Sequence, residues 1–186
     1  MQDSFSHALL VGAAVLILII FAASGIDSPG GTIPIAGITS EMWISETENR
    51  KTSLSLRDRD SSFKPFHGPR ASTTESFAYL WVSLRNTGDR DQNAMVINQT
   101  RNYYTEFLQP GPLGASVLYR QGDIVPVSQS PVRHHRTIFP VTIPARSTID
   151  FVLEYHGPRG IIIDPLLMLP EESLSRLTFD RTFAGF

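Results

Sequence analysis

The chain has 186 residues, with 16 Lys and Arg against 18 Asp and Glu, a formal net charge of −2 and no cysteine. That length suits one domain with an appendage, and an apolar content of 41% is enough for a packed core. Disulfides, thiolate metal sites, iron–sulfur clusters and cysteine nucleophiles are excluded, and no basic stripe is present to neutralise nucleic-acid phosphates.

The first element in chain order is an unbroken apolar run, Ala8 to Ala23, "ALLVGAAVLILIIFAA". It has no polar face, so it does not read as a helix lying on a core. As a helix it would span about 24 Å, short of the ~30 Å hydrocarbon layer. The small residues that follow, Ala22-Ala23-Ser24-Gly25, suit the narrow subsites of a signal peptidase, although the leading residues hold Asp3 and His7 and no Lys or Arg. The expectation is a signal peptide or membrane anchor over residues 1–25. A turn-rich linker over 26–40 ("DSPGGTIPIAG"), a β domain over 41–175 and a C-terminal tail over 176–186 follow.

Short apolar runs separated by turn chemistry fill the β domain. They are Met42–Ser45, Ser53–Leu56, Phe77–Leu84, Ala94–Asn98, Thr105–Gln109, Ala115–Tyr119, Thr137–Ile143, Ile149–Tyr155 and Gly160–Met168. The punctuation is "NTGDRDQ", "QPGPLG", "RQGD", "IPARS" and "HGPRG". Many short strands with close turns predict an antiparallel sandwich rather than a βαβ layout. In "STIDFVLEY" the period is two: Ile149, Phe151, Leu153 and Tyr155 share one face, and Asp150, Val152, Glu154 and His156 the other. "FAYLWVSL" is apolar on both faces, which predicts a central strand or one with a covered outer face. A helix should start at "LPEESLSRL", where Pro170, Glu171 and Glu172 suit the first turn and Arg176 the far end.

Catalytic constellations are hard to find. There is no G-x-S-x-G, no P-loop and no G-x-G-x-x-G. His134 and His135 are adjacent, so on a strand they face opposite ways and cannot both ligate one ion. No metal and no cofactor is expected. An aromatic and arginine set is left to line a binding face: Trp81, Tyr103, Tyr104, Tyr119, Arg133 and Arg136. Aromatic rings stack on the apolar faces of sugars, and guanidinium forks clamp carboxylates. The competing reading makes the rings packing residues and the arginines solvated strand-end charge.

Two long stretches carry a family likeness: "FKPFHGPRASTTESFAYLWVSLRNTGDRDQ" and "GDIVPVSQSPVRHHRTIFPVTIPARSTIDFVLEYHGPRGIIIDPLLMLPEESL". Their order resembles the periplasmic sensor region, type 2, of bacterial seven-transmembrane receptors with diverse intracellular signalling modules (7TMR-DISM). The matching elements are Ser83-Leu84-Arg85-Asn86, Val125-Pro126-Val127-Ser128, Arg136 to Pro144, Ile149 to Tyr155, and Pro165-Leu166-Leu167-Met168. The family's strand tryptophan falls on Tyr79, and Trp81 stands where a polar outward residue is common.

The resemblance implies a jelly-roll-like antiparallel β-sandwich similar to carbohydrate-binding modules, preceded by the signal or anchor helix. It implies a non-catalytic ligand sensor in the periplasm, at the extracytoplasmic face of a bacterial inner membrane. Implied partners are a small-molecule or glycan ligand, the membrane if residues 1–25 are retained, and a second receptor copy through dimerisation, but no nucleic acid. Arg133 and Arg136 would then be contact residues beside a polar strand shoulder. Two other classes stay open: a secreted glycan-active enzyme using two of its acids as a pair, and a structural β-sandwich that binds a partner. Carboxyl groups facing each other at about 5–9.5 Å across a groove would favour the enzyme.

Overall fold

The structure, a computed structural model, describes residues 35–67, 71–100, 102–132, 136–158 and 160–171. The expected signal or anchor (1–25), Arg133, His134, His135 and the 176–186 tail lie outside the described residues, and Pro170 and Glu171 are the helical residues at the expected helix start. Among the described residues no helix is long and apolar enough to cross a membrane.

The strands are β1 (Ile38–Thr47), β2 (Lys64–Pro65), β3 (Ala71–Thr73), β4 (Phe77–Asn86), β5 (Gln92–Asn98) and β6 (Tyr104–Gln109). They continue with β7 (Ser116–Gln121), β8 (Thr137–Ile143), β9 (Thr148–His156), β10 (Ile161–Ile163) and β11 (Pro165–Met168). Six form one sheet in the order β2-β1-β4-β9-β6-β7, three form a second in the order β11-β5-β8, and β10 pairs with β3. Neighbours are antiparallel throughout. The fold is an all-β sandwich. Its main core joins Leu80, Val82, Phe107, Phe151 and Leu153 of the large sheet to Val96, Phe139, Val141 and Leu167 of the small one.

The alternation read in β9 is the one observed: Phe151, Leu153 and Tyr155 are core residues, while Val152 packs on the opposite face. The two-faced apolar character of β4 has two causes. It lies between β1 and β9, and residues 48–63 lie over its outer face, with Leu56 and Phe63 packed on Tyr79 and Trp81.

Two expectations need correction. Ser53–Leu56 is not a strand, because Leu54–Leu56 is a 3₁₀ turn. Local side-chain bonding drives this: the Ser55 amide donates to Thr52 Oγ1 and the Ser55 hydroxyl donates to the Thr52 carbonyl. Gly160–Met168 is not one strand but two. The chain turns at Asp164, whose amide donates to Asn98 Oδ1 at 2.8 Å, and β10 and β11 then pair with different partners. β1 also begins at Ile38, inside the stretch read as linker.

Pro140 sits mid-strand in β8 without breaking it. β8 is an edge strand, the setting in which a strand tolerates a missing N–H.

Candidate functional site

Chemistry concentrates on the outer face of the six-stranded sheet. Alternation puts Tyr79 and Trp81 of β4, Asp150, Val152 and Glu154 of β9, and Glu106 and Leu108 of β6 on that face. Residues 48–63 cover much of it, and the apolar layer beneath them is Leu56, Phe63, Tyr79, Trp81, Leu108 and Val152.

A cleft of about 710 Å³ opens at one end of this face. Its floor includes Trp81, and its walls are Arg57, Asp58 and Arg59 of the covering segment, Gln109 of β6 with Pro110 to Pro112 of the loop after it, and Thr148 to Asp150 of β9. Phe63 meets Trp81 edge to face, with ring centroids 5.8 Å apart. Arg59 stacks over Trp43 at 3.4 Å from the ring centroid. The cleft thus reaches the accessible edge of one largely buried indole, Trp81, between side chains of both charge signs, with room for a small polar molecule.

A buried ion network lies further along the same face. Glu106 and Glu154 are direct cross-strand partners, each only 2% exposed. One guanidinium serves both: Arg50 Nη2 donates to Glu106 Oε2 at 2.7 Å and Arg50 Nε to Glu154 Oε1 at 2.7 Å. The other Glu106 oxygen accepts from the Tyr104 hydroxyl at 2.6 Å and from Arg120 Nε at 2.9 Å. A cavity of about 300 Å³ adjoins both carboxylates, lined also by Lys51, Ser53, Leu56 and Val117.

The two carboxyls are held differently. Burial pushes Glu106 up, but hydrogen bonds from Tyr104 and Arg120 and the charges of Arg50 and Arg120 outweigh it, leaving the group below its ordinary value. Burial, reinforced by the Glu106 charge, wins at Glu154 over the pull of Arg50 and sets it at about 7. The sign follows directly. A raised folded pKa means the native state holds the proton more tightly than the unfolded chain does. The stability contributed by Glu154 is therefore complete below about pH 4.5 and is lost as pH rises through about 7. Glu154→Gln should flatten the change in unfolding free energy between those values. A denaturant series at pH 5, 6, 7 and 8 checks this, and an unchanged slope would refute it.

The structure distributes the sequence candidates over different places. Trp81 forms part of the cleft floor, and Tyr104 binds the Glu106 carboxylate. Tyr103 is largely exposed and meets the His156 ring edge-on at 6.3 Å. Tyr119 faces the sandwich interior, against Phe107 and Phe139. Arg136 precedes β8, where its carbonyl accepts from Gln121 Nε2 at 2.8 Å. Trp81 and Tyr104 thus share a face, and Tyr119 does not. Sequence reasoning missed Arg50, Arg57, Arg59, Glu106, Asp150 and Glu154. The one available signal was a glutamate at an outward position in each of two strands otherwise rich in apolar residues, "TEFLQ" and "VLEY".

Glu106 and Glu154 form a carboxylate pair on this face; both are buried, and the one Arg50 guanidinium bonds the two of them. Among the described residues, no three His, Cys, Asp or Glu side chains group as metal ligands would.

No curated protein matches this chain. The family described as 7TMR-DISM extracellular 2 matches residues 39–168, from the second residue of β1 to the end of β11. That match puts the domain on the extracytoplasmic side and suggests a receptor sensor domain. Covering most of the chain and every strand of the sandwich, it shows that the chain belongs to the 7TMR-DISM extracellular 2 family.

Proposed function

We propose that this domain senses a glycan or other small polar ligand for a bacterial receptor, binds it in the Trp81 cleft, and does no catalysis. The observation that carries this reading is the cleft itself: an indole in its floor, Arg57 and Arg59 on one wall, and Asp150 on the other. An indole face takes the C–H face of a sugar ring, while guanidinium and carboxylate groups bond its hydroxyls or acidic substituents. Tyr104 acts in this reading through Glu106, as a positioning residue. Arg136 stays a candidate contact residue, and Arg133 lies outside the described residues. The family's suggestion of a receptor sensor domain supports binding without turnover.

The test is a panel of neutral, amino and acidic oligosaccharides titrated calorimetrically into the full chain. A ligand should be found whose affinity falls about tenfold or more in Trp81→Ala, as expected for loss of an aromatic platform. Asp150→Ala should weaken the same ligand, and because Asp150 is exposed this variant keeps the fold. Silence across the panel, or binding indifferent to both changes, would sink the reading.

A further inference from the structure

Residues 48–63 touch every part of the outer face just described. Arg57, Asp58 and Arg59 wall the cleft, Leu56 and Phe63 cover the aromatic layer, and Arg50 bridges the two glutamates. Side chains carry most of the segment's attachment to the sheet. The Lys51 amide donates to Tyr79 Oη at 2.7 Å, and the Ser62 and Ser45 hydroxyls lie 3.0 Å apart. On its other flank the segment rests on the β6–β7 loop. There the Ala115 amide donates to the Ser53 carbonyl at 2.8 Å. Gly114, at φ +112, lies so close that a Cβ would stand 3.1 Å from the Ser53 carbonyl group. Strand pairing with β1 resumes at Lys64.

The composition beneath this cover is unusual for a permanently closed interface. Two apolar residues in place of Glu106 and Glu154 would seat it at no desolvation cost, and replacing buried ion pairs that way is often neutral or stabilising. The glutamates instead make the seating conditional on one guanidinium. Arg50 is itself half in water, with 53% of its side chain exposed. Water therefore already reaches the guanidinium and can replace it from the solvent side, while Leu56 and Phe63 remain the apolar part of the attachment.

We propose that residues 48–63 form a strap that opens as a unit, latched by Arg50 on the Glu106–Glu154 pair, and that its opening displaces one wall of the Trp81 cleft. The consequence for ligand binding rests on the cleft being the binding site, whereas the opening itself needs no ligand to be seen. A molecule in the cleft touches Arg57, Asp58 or Arg59, which lie on the same strap as the latch. Occupancy and latching therefore bias each other reciprocally.

Hydrogen exchange of the full chain, followed peptide by peptide, tests the latch. Arg50→Gln and the double variant Glu106→Gln/Glu154→Gln remove it from opposite sides. Each should speed exchange over residues 48–63 by about tenfold while amides of β4 and β9 keep their wild-type protection. Arg50→Lys should fall between wild type and Arg50→Gln, because a point-like ammonium cannot fork across two carboxylates. Unchanged strap protection in both latch variants would overturn the proposal. So would strap protection lost in step with β4 and β9, since the segment would then belong to the cooperative core. If the glutamine variants fail to fold, Arg50→Lys carries the test, and wild-type strap exchange there overturns it. Normal strap behaviour combined with no glycan binding would defeat the ligand reading alone. The reverse combination would defeat the latch alone.

Discussion

Phe139→Ala and Phe151→Ala should each lower the unfolding free energy by about 3–5 kcal/mol, the range for emptying a fully buried aromatic site. Phe139 is 0% exposed in β8, and Phe151 is 2% exposed in β9 on the facing sheet. Both rings meet Phe107, at 5.3 Å and 4.7 Å between centroids, so one aromatic side chain of β6 ties the two layers together. Deleting either ring leaves Phe107 facing a void that the strand ladders keep from collapsing. Two singles sharing one neighbour should also fail to add in the double variant. Urea midpoints equal to wild type would show that the strand phase is wrong.

Glu106→Ala should be the most damaging change on the outer face, at about 2–4 kcal/mol; the upper range for breaking a buried pair is discounted because its two arginines are half exposed. The loss is threefold. Tyr104 loses its acceptor, Arg120 its partner, and Arg50 one of its two carboxylates. Glu106→Gln should recover part of it, since an amide oxygen still accepts one hydrogen bond. The pH dependence separates this residue from its neighbour. The Glu106 carboxyl is held below its ordinary value, so its contribution is complete above about pH 4.5 and is lost as pH falls through its folded pKa. Glu154 has the opposite slope. Melting temperatures of both variants against pH read the contrast, and parallel curves would contradict it.

Period-two alternation made β4, β5, β6, β8 and β9 legible to within a residue or two, because burial of one face leaves few choices of phase. The same rule failed at Ser53–Leu56. There two leucines alternate with serines, yet Thr52 and Ser55 satisfy the backbone locally and the stretch turns instead. The ion network was illegible for another reason. Glu106 and Glu154 are adjacent only because β6 pairs with β9, and Arg50 reaches them only because its segment folds over the sheet. Strand order is a property of the whole core, and no local pattern encodes it. Trp81 could be singled out as an aromatic, but not placed at a cleft whose walls come from three distant segments.

Three prolines described above have a shared effect on how this domain meets others of its kind. Pro65 lies in β2, Pro140 in β8 and Pro165 in β11, and those strands are three of the four outer edges of the two larger sheets. A strand containing proline offers an interrupted row of donors, so an incoming extended chain cannot zip along it. β7 is the fourth edge, free of proline and carrying the exposed Val117 and Leu118. Among the described residues β7 is thus the terminal strand of the two larger sheets whose donor row no proline interrupts, and its Arg120 already reaches back to the buried glutamate.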